Sequence, residues 1–91
     1  MNDLIEKATT DYYKVLKVIF DTQITVDDNT FSPITQSEIA EKLKVSTMTI
    51  NTIISQLKKD NLISLYNNIR GRYCLSDEAI KLIKNIEKSR Y

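Results

Sequence analysis

Residues 39–57 constrain the fold more than any other part of this 91-residue chain. Apolar side chains at helical spacing, Ile39, Ala40 and Leu43, break off across Lys44 and Val45. They restart behind Ser46 with Ile50, Ile53 or Ile54, and Leu57. A serine ahead of a periodic apolar run can accept hydrogen bonds from the first free amides of a new helix, so the pattern reads as helix, tight turn, helix. Ala40 is the small residue needed where two such helices cross closely, and Val45 and Ile50 fill the angle between them. Upstream, Pro33 forbids helix continuation, and Thr35 followed three residues later by Glu38 forms a capping box that fixes the helix start. The two helices are expected at about 36–43 and about 47–60.

At this length, with 42% hydrophobic residues, the chain is expected to be one domain, 1–91, around one modest core, with no room for a separate catalytic domain. It has no His and a single Cys, Cys74, which removes the commonest metal ligands, the usual general base and any intrachain disulfide. Neither an enzyme nor a metal or other cofactor is expected. No apolar run approaches the roughly 18 residues of a membrane span. The amino terminus, Met1, Asn2, Asp3, Leu4, lacks a signal-peptide pattern, so the expected location is cytoplasmic and no membrane partner is expected.

The net charge of +1 conceals a division. Residues 1–31 carry Lys7, Lys14 and Lys17 against Asp3, Glu6, Asp11, Asp21, Asp27 and Asp28, which is 3 minus 6, or −3. Residues 42–75 carry Lys42, Lys44, Lys58, Lys59, Arg70 and Arg72 against Asp60 alone, which is 6 minus 1, or +5. Basic charge concentrated in the half that holds the helix pair points to a polyanionic partner.

Before that pair, a helix is expected over about 4–22, with Ile5, Ala8, Tyr12, Leu16 and Ile19 on one face and Tyr13, Val15, Val18 and Phe20 broadening it. Asp27, Asp28 and Asn29 form a polar turn, and Ile24 and Val26, or Phe31 and Ile34, supply short extended segments. The acidic pair lacks further ligands at metal-binding spacing and reads as a solvated turn. After the pair, Asn61 stands where a helix end favours a residue tolerant of the left-handed conformation. A hairpin follows over about 62–75, with Gly71 at or beside the bend. Ser76 caps a last helix, about 77–89, whose stripe is Ala79, Ile80, Leu82, Ile83 and Ile86.

Helix, helix, helix, hairpin, with the spacing of residues 39–57, resembles the winged helix-turn-helix DNA-binding proteins, among them small bacterial regulators and plasmid replication or transfer accessory proteins. The fold class implied is mainly α with a small β-hairpin (α+β), and the partner implied is double-stranded DNA. In that family the turn position held here by Lys44 often carries Gly. A lysine with positive φ there costs on the order of 1 kcal/mol, which predicts some departure from the usual turn.

Under this resemblance Thr47, Met48, Asn51, Thr52 and Ser55 form the outward face of a recognition helix. Thr and Asn can bond base edges, and Met48 or a Thr methyl can touch a thymine methyl, so an A·T-rich target is expected. Lys42, Lys44 and Lys58 are candidate phosphate contacts. The hairpin becomes the wing, with Asn67, Asn68, Arg70 and Arg72 as its DNA-binding residues. Arg favours the enhanced negative potential of a narrow minor groove, and the first two turns of the third helix hold no Lys or Arg, so the wing is expected to contribute more than usual.

Other residues read as structural. Cys74 fits a small core residue, Tyr12, Tyr13, Tyr66 and Tyr73 fit packing better than base stacking, and one Gly cannot make a Gly-rich phosphate loop. The apolar stripes of the terminal helices predict a homodimer interface, with packing inside the monomer as the alternative. Three roles stay open: a transcriptional regulator; an accessory DNA-binding protein of a plasmid or other mobile element; and a protein-interaction module. Thirteen Ile, ten Lys and seven Asn imply A·T-biased coding, which fits a low-G·C genome or its mobile elements and does not choose between the first two roles.

Overall fold

The structure, a computed structural model, describes residues 10–89. Its elements are α1 (Asp11–Asp21), a hairpin of β1 (Ile24–Val26) and β2 (Asn29–Phe31), α2 (Gln36–Leu43), α3 (Thr47–Lys59), a second hairpin of β3 (Ile63–Leu65) and β4 (Tyr73–Leu75), and α4 (Asp77–Ser89). The expected positions 4–9 of the first helix, with Ile5 and Ala8, lie outside the described residues.

Each helix starts on a hydroxyl that accepts from the third residue beyond it. Thr10 takes the amide of Tyr13, Ser46 that of Thr49 and Ser76 that of Ala79. At Thr35 the reciprocal half is present as well, because the Thr35 amide donates to Glu38 Oε1 at 2.9 Å while the Glu38 amide donates to Thr35 Oγ1 at 3.1 Å. The Thr35 amide donating to the Glu38 carboxylate is the larger influence, and the Thr35 side chain a smaller one, that hold the Glu38 carboxyl below its ordinary range.

Two helix ends close in the same way. After α3, Asn61 (φ 59°) is left-handed, and the amides of Leu62 and Asn61 bond the carbonyls of Leu57 and Lys58 at 3.0 Å each. After α2, Lys44 takes that place at φ 58°, ψ 45°, with Val45 bonded to Ala40 at 3.1 Å. The turn therefore keeps the usual left-handed geometry in spite of its lysine, and the departure anticipated from the sequence does not occur. Two backbone bonds and the crossing of α2 over α3 hold Lys44 where a Gly would sit without strain.

The helices pack around a core in which Leu16, Ile19, Ile39, Ile50, Ile54, Leu57, Ile83 and Ile86 are almost completely buried. Burying each such side chain contributes about 1.5–3 kcal/mol. Ile54, not Ile53, is the inward residue of α3's middle turn, and Ile53 is half-buried at its edge. Ala79, Ile83 and Ile86 are buried inside the monomer, while Ile80 and Leu82 are half-buried. The stripe that predicts a dimer interface is thus largely consumed within the chain. The exposed large apolar residues lie elsewhere among the described residues, at Ile24, Val26, Met48 and Ile69.

The first hairpin turns through Asp27 (φ 49°) and Asp28 (φ 68°), with Val26 opposite Asn29. Two consecutive left-handed residues make the type I′ turn that matches strand twist, so the acidic pair has a conformational role. Ser32 then pairs with Tyr73, exchanging backbone bonds of 2.8 and 2.9 Å, and so joins the first hairpin to the second. Its side chain, buried among apolar neighbours, meets the Thr22 hydroxyl at 2.5 Å. Thr22 in turn donates to the Val18 carbonyl at 2.7 Å, which satisfies the buried group. Cys74 is half-buried on β4, its Sγ 3.8 Å from the Thr30 carbonyl, and burial pushes its thiol up. Tyr13 and Tyr73 are core residues. Among the described residues no helix is long and apolar enough to cross a membrane.

Candidate nucleic-acid interface

Burial of Ile50, Ile54 and Leu57 orients α3 and turns Thr47, Met48, Asn51, Thr52 and Ser55 outward, all five exposed. The middle of this face is a shallow depression of about 450 Å³ bounded by Asn51, Thr52, Ser55, Gln56, Lys58 and Lys59. The hydroxyls are not equally available. Thr52 Oγ1 donates back to the Met48 carbonyl at 3.1 Å, and Ser46 Oγ lies 2.9 Å from Thr49 Oγ1. Lys42 and Lys44 are placed at the end of α2 and in the turn, and Lys58 and Lys59 in the last turn of α3. Asp60, the sole acid of the basic segment, is engaged by the Tyr12 hydroxyl at 2.5 Å and by Gln56 Nε2 at 3.0 Å. Burial first, and then this carboxylate, push the Tyr12 phenol well above its ordinary range.

The second hairpin is a compact wing made of two successive turns. Asn67 (φ 51°) and Asn68 (φ 57°) give a left-handed pair closed by the Ile69 amide on the Tyr66 carbonyl at 3.0 Å. Gly71 (φ 80°) then supplies the positive φ of the following turn, closed by the Arg72 amide on the Ile69 carbonyl at 3.3 Å. Asn suits the first turn because its short polar side chain tolerates that conformation, so Asn67 and Asn68 are accounted for by turn chemistry with their side chains exposed. Ile69 and Arg70 are left on the exposed tip between the two turns.

The two wing arginines occupy different environments. The Arg72 guanidinium lies over the Phe31 ring, 5.7 Å from its centroid, and Phe31 also stacks on Tyr66 with centroids 4.3 Å apart. Arg72 thereby ties the wing to the first hairpin. Arg70 instead lines a cleft of about 330 Å³ with Thr35, Gln36, Ser37, Thr47, Gly71 and Tyr73. The wing folds back on the start of α2, with Thr35 Cγ2 3.5 Å from where a Cβ on Gly71 would stand. Arg70 thus shares one opening with the first turns of both α2 and α3, whose free amides carry partial positive charge.

Gln36 and Ser37 were not legible as part of this surface, because they join it only through the folding of the wing against the start of α2. Ile69 was missed for the same reason: its exposure depends on the two-turn shape of the loop. Among the described residues no group of three or more His, Cys, Asp or Glu comes together that could hold a metal ion.

A three-helix unit with a helix-turn-helix at α2–α3 and a β-hairpin behind it defines a winged helix-turn-helix DNA-binding protein. More specifically, the chain belongs to the Crp-like helix-turn-helix domain family, whose model matches residues 14–79. Among solved structures, the reduced, iron(II) form of the CO-sensing protein from R. rubrum superposes with a TM-score of 0.63 at 19% identity, over 89% of this chain and 40% of that one. A transcriptional regulator of the CRP/FNR family from Thermus thermophilus superposes with a TM-score of 0.60 at 16% identity, over 90% of this chain and 45% of that one. At these identities the likeness is one of fold, and the chain spans less than half the length of either structure. No curated protein matches the sequence significantly.

Proposed function

We propose that this chain is a sequence-specific double-stranded DNA-binding protein that acts in transcriptional regulation. The observation that carries the reading is the single opening shared by Arg70, the first turn of α2 and Thr47 of α3, beside an outward α3 face flanked by lysines. In this arrangement α3 enters the major groove. Thr47, Met48, Asn51, Thr52 and Ser55 meet base edges, while Lys42, Lys44 and Lys58 meet backbone phosphates. Arg70 reaches the adjoining backbone or minor groove, and Arg72 acts chiefly by holding the wing in place. The regulatory role is supported by the solved CRP/FNR regulator with the same fold.

Binding as a dimer to a repeated site is retained as part of the reading. Among the described residues, the apolar side chains of the terminal helices open to such pairing include the half-buried Val18, Phe20, Ile80 and Leu82, since Ala79, Ile83 and Ile86 serve the monomer core. The second reading, an accessory protein of a mobile element, uses the same surface and is compatible with the A·T-biased coding implied by the Ile, Lys and Asn content.

Selection of binding sites from a random duplex pool, followed by affinity across a salt series, tests the proposal. A defined motif bound with a steep salt dependence is expected, since several phosphate contacts release several counterions. Failure to enrich any sequence, with no binding at low salt, would refute it.

A further inference from the structure

We propose that α3 reads its duplex chiefly through the C5 methyl groups of thymine, with Met48 and the methyl of Thr52 as the reading atoms. This inference rests on the assignment of α3 as the base-reading helix. At about 3.6 residues per turn, the line opposite the buried Ile50, Ile54 and Leu57 runs through Met48, Thr52, Ser55 and Lys59. Two of those four positions offer carbon to the groove.

Met48 is 78% exposed, against 40–47% for Ile24, Val26 and Ile69. It contributes little to the core, and an apolar side chain held in water on an otherwise polar face is suited to an apolar partner. Thr52 is presented in a related way. Its hydroxyl donates to the Met48 carbonyl at 3.1 Å, one turn back, so its proton is already used; the oxygen can still accept, and the methyl is the apolar group that Thr52 offers a ligand. Met48 and Thr52, four residues apart, put thioether and methyl side by side.

The residues missing from this face point the same way. The first two turns of α3 carry no Arg or Lys to take guanine O6 and N7, and no Asp or Glu to accept from cytosine N4. Among the groups displayed in the major groove, the thymine methyl is the apolar one. Asn51, on the flank beside Thr47, has the amide that suits the N6 and N7 edge of an adjacent adenine. A preference for A·T pairs then arises from methyl contact in the major groove, independently of Arg70 at the wing.

The test takes the full 91-residue chain and the duplex it selects. Each thymine is replaced singly by deoxyuridine, which removes the methyl and keeps the base pair. One or two positions are expected to lose about fourfold in affinity each, the value of one buried methyl-sized group, with the remaining thymines unaffected. Met48→Ala should abolish the uracil effect at one of them, and Thr52→Ser at its neighbour. Thr52→Val, which keeps a methyl, should preserve it. Met48 and Thr52 are exposed, so these variants fold. Tolerance of uracil at every position, or a uracil effect that persists in both Met48→Ala and Thr52→Ser, would overturn methyl reading and leave the DNA-binding assignment standing. Absence of any selected duplex would overturn both.

Discussion

Replacing Lys44 by Gly separates what this residue costs the fold from what it gives to binding. Lys44 sits at φ 58°, ψ 45°, where a residue with a Cβ is disfavoured by about 1–2 kcal/mol. Glycine relieves that strain and raises the conformational entropy of the unfolded chain, which offsets about 0.5–1 kcal/mol. The expected net gain is about 0.5–1 kcal/mol, or a rise of about 3–6 °C in Tm for a domain of this size. Lys44→Ala is the control, because it removes the same charge and keeps the Cβ in the same strained place. Its stability should stay close to that of the parent, since the turn is closed by backbone bonds of Lys44 and Val45, which the substitution leaves in place. Both variants should lose the same phosphate contact, lowering the slope of log affinity against log salt by about 1. Thermal melts and salt-series titrations read the two effects independently. A glycine variant no more stable than the alanine variant would refute the account of the turn, and unequal losses of DNA affinity would refute the assignment of the charge to a phosphate.

Three further outcomes follow from the same geometry. Arg70→Ala should weaken duplex binding severalfold and lower the salt slope by about 1 with little change in Tm, whereas Arg72→Ala should lose about 0.5–1 kcal/mol of stability with its cation–π contact; reversed effects would contradict the division of labour in the wing. Because the Glu38 carboxyl is held low in the folded state, the capping box contributes fully above the ordinary carboxyl value of 4.5 and is lost as the pH falls through the lower folded value. Urea midpoints of Glu38→Gln should therefore fall less steeply than those of the parent across that acid range, and parallel curves would refute the linkage. Tyr12→Phe removes the bond that ties α1 to Asp60 at the end of α3, and should cost about 1 kcal/mol at this half-exposed site by chemical denaturation.

Local signals carried most of the secondary structure. Thr35, Ser46 and Ser76 act on amides within one turn of themselves, and Asn61 and Gly71 meet backbone demands of their own positions, so each could be read from its neighbours in sequence. The outward face of α3 was legible for a related reason, since burial of one stripe fixes the other. What escaped was set by pairings distant in sequence. The bridge between Ser32 and Tyr73, the placing of Arg72 over Phe31 and the sharing of one cleft by Arg70 with Gln36 and Ser37 have no local pattern. The terminal helices show the same limit from the other side. Their stripes are visible in sequence, but whether such a stripe meets its own chain or a second copy depends on how α1 and α4 pack, and Ala79, Ile83 and Ile86 turn inward. Lys44 is a different case. Its intrinsic preference argued against the left-handed turn, and the backbone bonds of the helix end prevailed over it.

The proposed function makes α3, the turn before it, the start of α2 and the wing one DNA-binding surface. Amide chemical shifts recorded while a selected duplex is titrated into the labelled chain test it most directly. Perturbations should concentrate at residues 36–37, 44–59 and 67–72, leaving the β1–β2 hairpin and the exposed side of α4 unchanged. Perturbations confined to α1 and α4, with residues 47–55 and Arg70 unmoved, would contradict it.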